Sequence, residues 1–159
     1  MYRRERPVNP QFDAAERLFR RCVDLEIREG RVFADQIPFY PAMSVNRSRY
    51  SYPEDVIYPE IWRCGVFSFR VDAIPDRYAI AGAGYEWLPS HEPEDDNYAH
   101  SEVHTLKNGV FSQTKLSLTV KKHFRALLAK SSTVEIEPGS ACPDPEDRRG
   151  FPDADEGNA

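Results

Sequence analysis

The sequence predicts an α+β fold, with a small antiparallel or mixed sheet, an N-terminal helix and a long C-terminal helix in a single domain. Three observations carry that reading. Residues 63–72 and 97–106 alternate apolar and polar side chains as strands do. Residues 10–22 and 115–130 repeat apolar side chains at helical spacing. Lys107-Asn108-Gly109 follows the second strand, and Asn-Gly is a strong hairpin signal because both residues tolerate positive φ.

Taken in order, Asn9-Pro10 reads as a helix start, since Asn caps free N–H groups and Pro fits the first helical position. Phe12, Ala15, Leu18, Phe19 and Cys22 then give a helix over 10–22. Residues 23–27 alternate like a strand, and Arg28-Glu29-Gly30 reads as a turn. Pro53, Glu54 and Asp55 suit the first turn of a short helix over 53–58. In the strand over 63–72, Phe67, Phe69 and Val71 share one face. Shorter strands are expected at 78–81 and 85–88, and a loop over 89–96. Leu116, Val120, Phe124, Leu127 and Leu128 form the inward stripe of the 115–130 helix, capped by Ser112 or Thr114. A last strand fits 133–136.

A chain of 159 residues suits one domain with its own core. The domain is expected over 1–137. Residues 138–159 form a Pro-, Gly- and Asp-rich acidic tail expected to be disordered, because it has too little apolar surface to order itself. Net charge is −5, and most of it falls in this tail. The body therefore lacks the clustered cations that a phosphate backbone needs, so nucleic-acid binding is not supported. Cys22, Cys64 and Cys142 are an odd, widely spaced set, which argues against a disulfide framework and against a zinc ribbon. The basic start leads into no apolar run, and nothing nears the ~18 continuous apolar residues of a membrane span. A cytoplasmic setting with no membrane association is the expectation.

Three stretches could carry chemistry. On a strand, His100, Glu102 and His104 share a face, and two imidazoles with one carboxylate are a recognised open site for a divalent metal. His100 and Glu102 are also the candidate acid–base pair. The bland alternative is the solvated face of an edge strand. His100-x-Glu102 matches the first half of the zinc deaminase signature, but no Pro-Cys-x-x-Cys follows to complete it. Arg47, Arg49 and Ser51, if extended, present two guanidiniums and a hydroxyl on one face, suited to a phosphate or carboxylate. A loop held by ion pairs to Glu54 and Asp55 would look the same. His91 and Asn97 flank an acidic stretch, His91-Glu92-Pro93-Glu94-Asp95-Asp96-Asn97, that could hold a divalent cation or stand as a solvated charged loop. No P-loop, GxGxxG, GxSxG or HExxH motif occurs.

Leu18-Phe19-Arg20-Arg21, Ser44-Val45-Asn46-Arg47 and His91-Glu92-Pro93 leading to Asn97-Tyr98-Ala99-His100 together resemble a loose family of small uncharacterised bacterial proteins. That resemblance implies a bacterial source and no particular activity; such proteins accompany toxin or antiviral defence systems. Arg20 or Arg21, then Ser48 or Ser51, then Glu102 also resemble the order of NAD-handling residues in ADP-ribosyltransferase-like folds.

Two functional expectations follow. The first is a protein- or ligand-binding module of a bacterial multi-protein system with a protein partner, since Tyr and Arg are favoured at interfaces. The second is a small enzyme acting on a phosphate- or nucleotide-containing substrate, with His100, Glu102 and His104 facing Arg47 and Arg49. Convergence of these five side chains in one concave pocket would separate the two.

Overall fold

The computed structural model describes residues 6–23, 26–37, 39, 41–56, 64–112 and 115–140. In chain order its elements are β1 (Arg17–Val23), β2 (Ile27–Arg28), β3 (Arg31–Val32), β4 (Ala42–Arg47), β5 (Cys64–Arg70), β6 (Arg77–Ile80), β7 (Ala83–His91), β8 (His100–Lys107), β9 (Val110–Phe111), α1 (Leu118–Ser131) and β10 (Thr133–Ile136). Eight strands make one antiparallel sheet in the order β10-β5-β1-β4-β8-β7-β6, with β9 paired to β8, while β2 and β3 form a separate hairpin.

This corrects the α+β expectation: the protein is mostly sheet, and α1 is its one sizeable helix among the described residues. The expected N-terminal helix over 10–22 is absent, and its second half is strand β1. The physical reason lies in the spacing. Leu18 and Cys22 are four apart, which places them on one face of a helix and equally on one face of a strand. The strand solution sends Phe19 to the other face, against Cys64 and Val66. Asn9 does form a local side-chain turn, with Gln11 N donating to its Oδ1 at 3.0 Å, but no helix follows it.

Other elements shift less. The turn at Glu29-Gly30 closes β2–β3, with φ of 51° and 69°. The helix expected at 53–58 is a single 3-10 turn over Pro53–Val56, with residues 57 and 58 outside those described. Pro89 and His91 belong to β7 rather than to a loop. Asn108-Gly109 makes the expected hairpin, at φ of 52° and 77°. Helix α1 starts later than expected and is capped by Ser117, whose Oγ accepts from Val120 N at 3.4 Å. Ser112 instead continues the hairpin, donating its N–H to Thr105 O at 2.8 Å, and Thr114 lies outside the described residues. Of the acidic tail, only residues up to 140 are described.

The sheet has two unlike faces. One carries Leu18, Met43, Val45, Phe67, Phe69, Trp87 and Val103 against Val120, Phe124 and Leu128 of α1, all buried. Phe39 stacks on Phe124 with centroids 4.3 Å apart. Phe67 and Phe69 are fully buried as expected, with Val71 half-buried at the margin, while Leu127 is exposed. The other face is apolar across β1, β5 and β10, where Phe19, Cys64, Val66 and Ile136 cluster, and polar across β4 and β8. Cys22 and Cys64 are buried free thiols; burial above all, with Glu26 adding, pushes Cys22 up to about 12, so it behaves as a small apolar side chain. Among the described residues no helix is long and apolar enough to cross a membrane.

Gly65 lies where β10 crosses β5. A Cβ there would stand 2.6 Å from Ile136 O and 2.7 Å from Pro138 Cδ, and neither backbone nor proline ring can swing aside. Gly65→Ala is expected to destabilise the fold by about 1–3 kcal/mol, the usual range for overpacking. Thermal melting checks it, and the loss should shrink when Pro138→Ala is added.

Candidate metal centre on the exposed sheet face

Strand β8 alternates strictly, with Ser101, Val103 and Thr105 buried and His100, Glu102 and His104 half-buried on the polar face. Register fixes what stands beside each: Asn46 opposite His100, Ser44 opposite Glu102 and Ala42 opposite His104. These small neighbours leave the longer side chains of β8 free to lean together above the sheet. On the other side β7 runs alongside β8 until His91 meets Ser101, which delivers Glu92 onto the same face. Glu92 N donates to His100 O at 3.2 Å.

The result is a cluster of Glu92, Glu102 and His104, with one ligand atom from each within 4.8 Å of the others. His104 Nε2 is hydrogen-bonded to Glu92 Oε1 and lies 3.5 Å from Glu102 Oε2. A divalent cation with bonds of about 2.0–2.2 Å holds its donors roughly 3–3.5 Å apart, a separation that His104 and Glu102 already meet and that the hydrogen-bonded Glu92–His104 pair would open to reach. The metal would displace the proton that His104 Nε2 shares with Glu92. Two carboxylate oxygens and one imidazole nitrogen suit Mn²⁺, Fe²⁺ or Zn²⁺. The cluster lies in an open groove of about 600 Å³ whose other walls are Pro41, Ala42, Ser44, Phe111 and Ser112. Phe111 is exposed and meets the His104 ring edge-on, centroids 5.0 Å apart.

The cluster differs from the expected His100, Glu102 and His104. His100 sits at the start of β8, and its Nδ1 lies 2.8 Å from Glu92 O. A carbonyl oxygen only accepts, so Nδ1 carries the proton and donates; Nε2 lies 3.9 Å from Glu94 Oε1. The third member of the cluster is Glu92, a residue of the acidic stretch that forms a separate candidate by sequence. Its signal was positional: an acid placed just beyond a strand that pairs with β8 must land beside it.

Arg47 does not face this cluster. It lies on the helix-covered side with Val45 and Met43, fully buried. Its Nε and Nη2 donate to Glu16 Oε1 and Oε2 at 2.7 and 2.8 Å. Its Nη1 donates to Asn9 O at 2.8 Å, and Nη2 also donates to Gln11 O at 2.5 Å. Phe12 lies against the guanidinium, with Arg47 Cζ 3.9 Å from the ring centroid. Ser51 is buried behind Arg47, donating to its carbonyl at 2.9 Å. Arg49 lies beyond the end of β4, 3.9 Å from Asp13. The extended run that would have aligned Arg47, Arg49 and Ser51 breaks into a turn at residues 48–50. Ser48 is likewise used locally, accepting from Arg17 N at 3.1 Å, and Arg20 donates to Ser44 O at 2.9 Å, so the Arg–Ser–Glu order of the second resemblance does not gather into a site.

Asn97 pairs its amide with that of Asn46, donating at 2.9 Å. His91 is buried beneath Tyr50 and Tyr98. Its Nδ1 accepts from Asn9 N at 2.9 Å, so its Nε2 must carry the proton and donate to Tyr98 O at 2.8 Å. No protein-family model matches this chain, and neither do any curated protein or solved structure.

Two outcomes follow. Arg47→Ala leaves Glu16 buried and unpaired and is expected to cost ~3–5 kcal/mol in urea unfolding, whereas the paired Arg47→Met with Glu16→Leu should lie far closer to wild type. His91 is lowered from its ordinary value of about 6.5, mainly by burial, with Arg47 and His100 adding and the Tyr98 carbonyl and Glu16 opposing. The unfolded chain therefore takes up this proton first as pH falls. His91's contribution is complete above about pH 6.5 and is lost as pH drops toward the folded value. His91→Gln, whose amide can accept from Asn9 and donate to Tyr98, should flatten that part of the urea stability–pH profile.

Proposed function

We propose that this protein is a binding module that engages its ligand or protein partner through a divalent cation held by Glu92, Glu102 and His104 on the open face of its sheet. The convergence of these three donors in a groove is the observation that carries the reading. The role proposed is binding rather than catalysis, in a bacterial multi-protein system of the kind the sequence resemblance implies. Arg47, which a phosphate-handling enzyme reading required beside His100 and Glu102, is committed to Glu16 on the other side of the sheet, so that alternative loses its anion clamp.

Titration calorimetry and thermal melting with Mn²⁺ and Zn²⁺ test the proposal. Wild type should bind at a one-to-one ratio and gain about 2.7 kcal/mol of stability at a hundredfold excess over Kd. Glu102→Gln and His104→Ala should each weaken binding at least tenfold. Equal binding by wild type and both variants, or no binding, overturns it.

A further inference from the structure

The groove specifies what completes the cation's coordination, and this step rests on the cation reading above. The chain offers three donors among the described residues, and Zn²⁺ or Co²⁺ takes at least four, so at least one position would be left for a donor from outside the chain. The two carboxylates already balance the charge of a divalent ion. The adjoining loop adds Glu94, Asp95 and Asp96, and no Lys or Arg occurs between Glu86 and Glu102. An incoming anion would meet that negative field, whereas a neutral donor would not. The remaining groove walls (Pro41, Ala42, Ser44, Phe111, Ser112) carry no charge of either sign. Phe111 touches His104 edge-on and is 61% exposed, leaving ring surface for a second flat group beside the cluster.

We propose that the open coordination position takes a neutral imidazole, the side chain of a histidine presented by a partner protein. Of the neutral side chains, imidazole is the donor best matched to Zn²⁺, Co²⁺ and their neighbours, and its ring matches the Phe111 wall. The partner is thus a protein with an exposed histidine, docked by metal bridging rather than by its carboxylates.

The test uses the full chain loaded with Co²⁺, whose visible bands report its coordination sphere. Imidazole and acetate are titrated separately. Imidazole should change the bands and bind at least tenfold more tightly than acetate. On Co²⁺-saturated protein, Phe111→Ala should weaken imidazole several-fold more than it weakens acetate. Acetate binding as tightly as imidazole, or neither altering the bands, overturns the imidazole assignment and leaves the cation reading standing. Failure of Co²⁺ to bind, or its unaltered binding to Glu102→Gln, overturns both.

Discussion

The arrangement of this fold depends on one buried ion pair, Arg47 with Glu16. Burying two charges is costly, and their mutual attraction recovers that cost only when the remaining donors are also satisfied. Here they are: the guanidinium reaches both oxygens of Glu16 and the carbonyls of Asn9 and Gln11. The same group thereby ties the end of β4, the approach to β1 and the N-terminal segment into one corner. Glu16 extends the tie through its carbonyl, which accepts from Val71 N at 2.9 Å just beyond β5. An apolar pair of similar volume could fill the space, but it could not dictate where Asn9 and Gln11 run, because only a fork of N–H groups reads carbonyl positions.

Once that corner is closed, the remaining polar chemistry of the strands is left on the opposite face. Antiparallel strands alternate, so the apolar side chains that meet α1 oblige their neighbours to point outward. Across β4 and β8 those neighbours are Ser44, Asn46, His100, Glu102 and His104. The sheet edge is a poorer place for recognition. Asn108 N donates to Gly84 O, so even-numbered residues of β7 turn toward β8 and odd-numbered ones turn away. β6 covers that outward edge only as far as Glu86. Beyond it, Pro89 occupies an outward position and offers no N–H, a device that discourages an added strand.

The parts of the fold legible in the sequence were those governed by local rules. The alternation of β8, the Asn-Gly turn, the paired phenylalanines of β5 and the stripe of α1 all depend on near neighbours. The parts that were not legible depend on distant ones. Leu18 and Cys22 fit either period, and only pairing with Phe69 and Gly65 makes β1 a strand. Arg47 and Arg49 look like an anion clamp until Glu16, thirty-one residues away from Arg47, claims the first of them. The polar face of β8 was visible as such. Its third ligand was hidden because Glu92 belongs to a different strand's exit, and only the β7–β8 register brings it over.

That register also brings together the three residues of the proposed cation site. Glu102 and His104 are two apart on one strand, which sets their backbones roughly 6.5–7 Å apart and leaves little to adjust. Glu92 is the member that can close on the ion. It is not loose, because His100 Nδ1 holds its carbonyl and a tight turn follows, with Glu94 and Asn97 exchanging backbone hydrogen bonds at 3.1 and 3.2 Å. Two members of the cluster thus sit on one strand and the third at the start of a hydrogen-bonded turn. In this arrangement His100, which looks like a ligand by spacing, acts one step removed: its Nδ1 holds the carbonyl of Glu92 and so fixes the backbone from which that side chain reaches His104.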